Sequence, residues 1–183
     1  MKTKSLLSGF ITTCAVCILC AATFAADLTP IKLPAPKTDG GKPLMQALKE
    51  RKSSREFSLR ELPLQVLSDM LWAAAGINRP DSGRRTSPTA RNMQQIDIYV
   101  VKPEGVYIYD ANKNTLQPVL AGNIMAVTGK QDFVVDAPVN LVFVADYAKM
   151  GGMDAASKDL YAATDTGYVS QNVYLYCAME SLL

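Results

Sequence analysis

The residues best suited to chemistry lie between Arg51 and Phe57, where cationic and hydroxyl side chains occupy alternate positions. If the backbone is extended there, Arg51, Ser53 and Arg55 can converge on one anion. Guanidinium groups form charge-assisted, often bidentate hydrogen bonds to phosphate, and a serine hydroxyl adds a compact donor. The spacing therefore indicates a phosphate site. The alternative is a solvated surface, because a basic cluster at a helix end also complements the negative end of the helix dipole.

A second polar segment, residues 77–93, is rich in Asn, Pro, Ser, Gly and Thr. Its only acidic residue is Asp81, and its cations are Arg79, Arg84, Arg85 and Arg91. Such a long polar segment between two apolar elements favours a binding role over a mere connection.

The sequence has no histidine among its 183 residues. This excludes Ser-His and Cys-His catalysis, and it leaves any zinc site dependent on carboxylates and cysteine, so we expect no metal site. If the protein is an enzyme, its chemistry comes from a molecule that it binds.

The N-terminus has the pattern of an export signal. Lys2 and Lys4 precede an apolar run over residues 6–22, and Thr-Phe-Ala at 23–25 places small residues where a signal peptidase reads them. We therefore expect a signal peptide over residues 1–25, cleavage near Ala25 or Ala26, and a periplasmic or extracellular protein. An uncleaved membrane anchor is the alternative, although the run is shorter than the ~20 apolar residues of a usual span.

Removal of this signal changes two inferences. Cys14, Cys17 and Cys20 have a spacing that suits a metal or iron–sulfur site, but all three lie in the segment expected to be lost. Cys177 then remains alone and can form no intramolecular disulfide. Loss of Lys2 and Lys4 also leaves 17 of the 19 basic residues against 17 acidic ones, so the net charge of the mature chain is zero. Nucleic-acid binding therefore lacks an electrostatic basis.

Helix and strand signals follow one another along the chain. Residues 26–42, with their prolines and glycines, predict a leader strand or linker. Apolar helical patterns predict one helix from Pro43 that ends at Arg51, and a second after Pro63 that ends at Gly76. Further patterns predict strands at 95–102, 106–110 and 137–146, the last buried on both faces, and a short helix at 118–131.

A long helix is predicted from about Met153 to the end of the sequence. Its proposed buried stripe has a helical period and consists of Leu160, Ala163, Thr164, Gly167, Tyr168, Gln171, Tyr174, Leu175, Ala178 and Leu182. The predicted fold is α+β, a central and mostly antiparallel sheet flanked by helices in one domain over residues 43–183.

In this order the segments resemble the nitroreductase family of flavoproteins, and more closely its branch related to the oxidases of thiazole and oxazole peptide biosynthesis. No single motif is decisive, but the ordered set is specific and spans residues 43–183. The matching pieces are RKSSREF at 51–57, LWAAAGINR at 71–79, RTSPTARNMQ at 85–94, IYVV at 98–101 and YVSQNVYL at 168–175.

The resemblance implies a nitroreductase-like fold that holds FMN at a homodimer interface. It places Arg51 and Ser53 on the phosphate and ribityl chain, and Arg55 on the pyrimidine side of the ring. In the second motif it implies that Pro88, Thr89 and Ala90 line the ring. Asn92 would form hydrogen bonds to the polar edge of the ring. Cations stabilise the negative charge of a reduced flavin, with Arg55 the first candidate and Arg91 the second.

The implied reaction is a ping-pong transfer of hydride from NAD(P)H or another donor, through FMN, to a quinone, a nitro compound or a peptide. No protein side chain need act as acid or base, which suits a chain without histidine. Two alternatives stay open: an exported protein that binds flavin or another phosphate ligand without turnover, and an interaction domain whose arginines are surface charges.

The sequence ends within the last predicted helix, at residues 179–183, with no C-terminal cap evident. In the resembled family a glycine-containing turn, a further strand and basic residues follow this helix. We therefore expect an incomplete copy of the fold, with an unpaired sheet edge and weak flavin binding. The alternative is a shorter natural variant in which a dimer partner covers the gap.

Overall fold

The computed structural model describes residues 28–58 and 60–182, and the expected signal peptide lies outside these residues. Five antiparallel strands form one sheet in the order β1-β6-β5-β4-β7, and β2 and β3 form a separate hairpin. This is the predicted α+β arrangement. Its elements are β1 (Ile31–Lys32), α1 (Leu44–Glu50), α2 (Leu64–Ala75), β2 (Ile77–Arg79), β3 (Arg84–Arg85), β4 (Ile96–Lys102), β5 (Gly105–Asp110), β6 (Thr115–Ala121), β7 (Asn140–Ala145) and α3 (Ala155–Met179).

The first two helices begin and end where the sequence predicts. Pro43 and Pro63 stand directly before α1 and α2, and Gly76 ends α2. The inward face of α2 packs against the sheet through Leu67, Met70, Leu71 and Ala74. Within the described residues, no helix has the length and apolar character that a membrane span requires.

Residues 28–37 contain the short strand β1 and are attached to the domain. β1 pairs with β6, and Leu33 is buried. The carbonyl of Pro34 accepts hydrogen bonds from the Ser68 hydroxyl at 2.6 Å and the Asn114 amide at 2.7 Å. These contacts attach the segment to α2 and to the sheet.

The helix predicted at 118–131 is wrong. The first part of that stretch belongs to β6, where Pro118 pairs with Tyr107 beside a register shift that accommodates a residue without an N–H. Gly122 then adopts a left-handed φ of 106°, and short 3₁₀ turns follow at 125–127 and 132–135. Pairing with β5 therefore overrides a weak local helical pattern.

Strand β7 is not buried on both faces, as its apolar run predicts. It pairs only with β4 and forms an edge of the sheet among the described residues. Its side chains are half-buried, and Val144 is 42% exposed.

Helix α3 buries the face opposite to the predicted one. Along most of the helix the buried positions are Ala162, Asp165, Val169 and Tyr176. Most members of the predicted stripe are exposed instead, including Leu160, Ala163, Thr164, Gly167, Tyr168, Gln171 and Tyr174, whereas Ala178 is buried. Both faces carry apolar side chains, so periodicity alone did not distinguish the one that packs on the sheet.

The C-terminal end of α3 is capped, contrary to the expectation from its sequence. Ser181 has a left-handed φ of 58°. The Leu182 N–H donates to the Cys177 carbonyl at 2.9 Å, and the Ser181 N–H donates to the Ala178 carbonyl at 3.4 Å. This pair of bonds is a Schellman motif, with serine in the position that glycine usually occupies.

Candidate functional site

The first candidate segment leaves α1 as irregular backbone and is held by aromatic rings. The Arg51 guanidinium carbon lies 5.7 Å from the centroid of the Tyr174 ring, and that of Arg55 lies 5.9 Å from the Phe133 ring. Phe57 packs near the same Phe133 ring, with centroids 6.1 Å apart. Cation–π contacts thus hold Arg51 and Arg55 on two different rings, and the two guanidinium groups do not meet over a common ring. Ser53, between them, is exposed.

The arginines of the described residues form no salt bridges. Every ion pair among residues 28–58 and 60–182 uses a lysine, and no arginine there lies within salt-bridge distance of a carboxylate. All arginines of the chain also fall within residues 51–91, at Arg51, Arg55, Arg60, Arg79, Arg84, Arg85 and Arg91. This region therefore carries cationic groups that are not neutralised by the described carboxylates.

The second candidate segment is built on the β2–β3 hairpin. Arg85 fixes its base, because its Nη1 donates to the Ala75 carbonyl at 3.0 Å and its Nε donates to Gln94 Oε1 at 2.7 Å. Burial lowers the pKa of the Arg85 guanidinium from its ordinary value. The Thr86 hydroxyl adds a bond to the Trp72 carbonyl at 3.1 Å. Arg85 is thus a structural residue that joins the hairpin to the end of α2.

The loop that follows is strained. Arg91, Asn92 and Gln94 have φ values of 51°, 57° and 49°, in the left-handed region that residues other than glycine rarely adopt. Each such residue costs of order 1–3 kcal/mol and persists where the surroundings determine the backbone. Strain of this kind clusters at functional sites.

A buried carboxylate determines this loop. Asp165 of α3 is 3% exposed, and its Oδ2 accepts from the Ala90 N–H at 3.1 Å and from the Gln95 amide at 2.7 Å. Gln95 in turn accepts from the Thr89 hydroxyl at 2.8 Å, and that hydroxyl accepts from the Gln94 N–H at 3.1 Å. Two predicted site residues, Thr89 and Ala90, are therefore fixed by this network.

Sequence reasoning missed Asp165 and Gln95. The available signal was weak: Asp165 is an acidic residue at a helical spacing from Ala162 and Val169, and Gln95 directly precedes an apolar strand. The predicted buried stripe of α3 does not include Asp165, whereas the structure buries it. The other two predicted residues of this segment, Pro88 and Asn92, lie in the same loop. Pro88 is exposed, and the Asn92 side chain accepts a hydrogen bond from the Gln94 amide at 3.1 Å.

The two candidate segments meet different faces of α3. Arg51 lies on Tyr174 of the exposed face, and Ala90 bonds to Asp165 on the buried face. These helix positions are about 13 Å apart along the axis and about half a turn apart around it. Among the described residues, no hydrogen bond, salt bridge or ring contact joins the two segments.

Two cavities of the described part of the chain lie away from the first segment. A cleft of about 620 Å³ lies between residues 37–42, the helices and the end of α3, and none of the predicted site residues lines it. A cavity of about 10 Å³ beside the second segment is lined in part by Pro88, Thr89 and Asp165. The second is only about the size of one water molecule.

The sequence and the structure both match known proteins. A curated nitroreductase of Methanocaldococcus jannaschii is 32% identical over 142 residues, which is 72% of this chain and 71% of that protein. The crystal structure of a nitroreductase from Ralstonia eutropha superposes with a TM-score of 0.80 at 43% identity, covering 84% of this chain and 73% of that one. The Escherichia coli microcin synthetase McbBCD shares the fold at 16% identity and a TM-score of 0.57, over 93% of this chain and 71% of its own.

The family match covers most of the described domain. The sequence model of the Nitroreductase family aligns with residues 48–182, which include α1 from Leu48, both candidate segments, the sheet from β4 onward and α3. The antiparallel sheet flanked by helices is a nitroreductase-like fold. On both grounds the chain belongs to the nitroreductase family of oxidoreductases.

Proposed function

We propose that this protein is an FMN-dependent oxidoreductase that moves hydride from NAD(P)H or another donor to an acceptor by a ping-pong reaction. The acceptor would be a quinone, a nitro compound or a peptide. The observation that carries the proposal is the set of arginines without carboxylate partners in the two segments that resemble the family's flavin motifs. Because the chain belongs to a family of oxidoreductases, we propose that these cations bind the phosphate and the ring of a flavin cofactor.

The first segment suits the phosphate end of FMN. Arg51 is partly buried against Tyr174, so its guanidinium has lost some of its mobility before a ligand binds. Ser53 is exposed and offers a hydroxyl donor two residues later. A cation and a hydroxyl at this spacing match the donor set of a phosphate site.

The second segment suits the ring. When bound, FMN supplies a ring that takes up hydride and releases it, which no side chain of this protein can do. Pro88, Thr89 and Ala90 provide a rigid wall, and Asn92 provides an amide for polar ring atoms. Arg55 is our first candidate for stabilising negative charge on the ring, and Arg91 is the second.

We further propose that the site is completed by a second copy of the chain. Within one chain the two segments approach opposite faces of α3, so a single protomer does not assemble both halves. The exposed face of α3 carries Leu160, which is 64% exposed, and Tyr168, which is 46% exposed. On α1, Leu44 is 62% and Met45 75% exposed. Exposed apolar surface on two neighbouring helices is characteristic of a subunit interface.

The place of action and the branch of the family are proposals from the sequence. We propose export, because residues 1–25 have the pattern of a signal peptide. Since nicotinamide cofactors are scarce outside the cytoplasm, another donor is then an alternative to NAD(P)H. The proposed kinship to oxidases of thiazole and oxazole peptide biosynthesis rests on the ordered motifs, because the likeness to microcin synthetase concerns the fold alone.

The test begins with the protein purified in the presence of FMN. We expect flavin absorbance bands, bleaching by an anaerobic donor, and recovery of the bands when a quinone is added. Arg51→Ala should weaken FMN binding by about ten- to a hundredfold, because one charge-assisted contact contributes about 1.5–3 kcal/mol. Ser53→Ala should weaken binding less, and Arg55→Ala should also shift the reduction potential of the flavin.

Lys52→Ala is the matched control, since Lys52 is an exposed cation between the two proposed phosphate ligands. If Arg51→Ala and Lys52→Ala bind FMN equally well, the phosphate assignment is wrong. If bound flavin is never bleached by any donor, the protein binds the cofactor without turnover.

A further inference from the structure

Four arginines lie on the β2–β3 hairpin and the loop after it, and two of them have structural roles. Arg79 donates to the Asn78 side chain and to the Arg85 carbonyl, and Arg85 donates to Ala75 and Gln94. The guanidinium groups of Arg84 and Arg91 make no hydrogen bond or salt bridge to any residue in the described ranges. Both side chains are exposed.

One side chain joins the backbone positions next to these two arginines. The Gln94 amide nitrogen donates to the Gly83 carbonyl at 2.9 Å and to the Asn92 side chain at 3.1 Å. Gly83 directly precedes Arg84, and Asn92 directly follows Arg91. The hairpin turn and the strained loop are therefore one unit, and it carries two cations on neighbouring parts of its backbone.

The backbone of this unit is fixed before any ligand binds. Arg84 is in β3, and Arg91 is held at a φ of 51° by the network that Asp165 anchors. A preorganised backbone lowers the entropy lost when a ligand is bound, so two guanidinium groups on it are well suited to a small anion. The only acidic residue on the hairpin, Asp81, is not within salt-bridge distance of either.

We propose that Arg84 and Arg91 bind the anionic group of the electron acceptor, and that the preferred acceptors are small molecules carrying a carboxylate, sulfonate or phosphate. This rests on the proposed function, because it assigns a substrate class to the site whose ring-binding wall is Pro88, Thr89 and Ala90. It is separate from the cofactor phosphate, which the proposed function places on Arg51 and Ser53. It assigns Arg91 to the acceptor and leaves the stabilisation of negative charge on the flavin ring to Arg55, the first candidate for that role.

The experiment uses the flavin-loaded full-length protein and a pair of acceptors that differ in charge, 4-nitrobenzoate and 4-nitrobenzamide. The enzyme is reduced photochemically, so that no anionic donor competes, and reoxidation is followed by stopped flow. The quantity compared among variants is the ratio of the second-order rate constants for the two acceptors. We expect Arg84→Gln to lower this ratio by about tenfold, which is the loss of one charge-assisted contact.

Arg91→Gln should lower the ratio in the same direction, and Arg60→Gln should leave it as in the unmodified protein. Arg60 is also exposed, but it lies beside Lys102 and Glu104 at another cavity. Raising the salt concentration from 0.05 to 0.5 M should slow the anionic acceptor more than the neutral one, because screening shortens the range of the attraction. An unchanged ratio in Arg84→Gln and Arg91→Gln overturns the proposal.

A binding measurement decides the question separately from turnover. Calorimetry of 4-nitrobenzoate with the oxidised protein should show binding that Arg84→Gln weakens and Arg60→Gln does not. If neither acceptor is reduced but this pattern is seen, the proposed redox function fails and the anion site stands. If Arg84→Gln releases FMN instead, the arginine serves the cofactor and the substrate assignment is overturned.

Discussion

Replacement of Asp165 tests whether a buried carboxylate holds the second candidate segment. Asp165→Ala removes the acceptor of two bonds, from the Ala90 N–H and the Gln95 amide, and leaves both donors without that partner. Hydrogen bonds to a charged group contribute about 1.5–3 kcal/mol each. The loss is offset in part because the variant no longer buries a charge.

The net expectation is a decrease of about 2–4 kcal/mol in the free energy of unfolding, or about 5–15 °C in Tm for a domain of this size. Asp165→Asn keeps an oxygen in place and should lose less than half of this. Urea and thermal unfolding measure the change. Trypsin gives a local reading, because relaxation of the strained loop should speed cleavage after Arg91 in Asp165→Ala.

Asp159→Ala is the matched control on the same helix. Asp159 is exposed and accepts a hydrogen bond from the exposed Tyr147 hydroxyl, so its loss should change stability little and leave cleavage after Arg91 unaltered. The reasoning is refuted if the Asp165 and Asp159 variants unfold at the same urea concentration and are cut equally fast after Arg91.

Two further predictions concern pH and association. Burial raises the pKa of Tyr109 to about 12 and that of Cys177 to about 11, so the folded state retains protons that the unfolded state has already released. Stability should therefore be fully present below about pH 9 and fall as the pH rises towards 12, and a urea titration that stays flat over this range would contradict the shifts. Gly167→Leu should convert the proposed dimer to monomer in sedimentation experiments, because Gly167 lies on the exposed face of α3, whereas Gly151→Leu, at another exposed glycine with an open surrounding, should not. Unchanged association of Gly167→Leu would remove this face from the interface.

Local signals in the sequence were sufficient for several elements. Pro43 and Pro63 define helix starts by their fixed φ and missing N–H, and Gly76 ends α2. Alternation of apolar residues predicted β4, and a short polar turn placed β5 beside it. The arginine and serine pattern after α1, together with the ordered motifs, led to the family.

Other features were decided only by contacts distant in sequence. Residues 118–121 became strand because β5 offers them hydrogen bonds, and β7 lies at an edge because no other described strand reaches it. Helix α3 is apolar on two faces, and only packing against α2 and the sheet selects the one that carries Asp165. The bonds from that carboxylate to Ala90 and Gln95 span 75 and 70 residues of chain. Sequence composition and spacing thus led to a prediction of the binding residues. The conformation of their loop, and its position on the opposite face of α3 from Arg51, came from tertiary structure, because long-range pairing has no local signature.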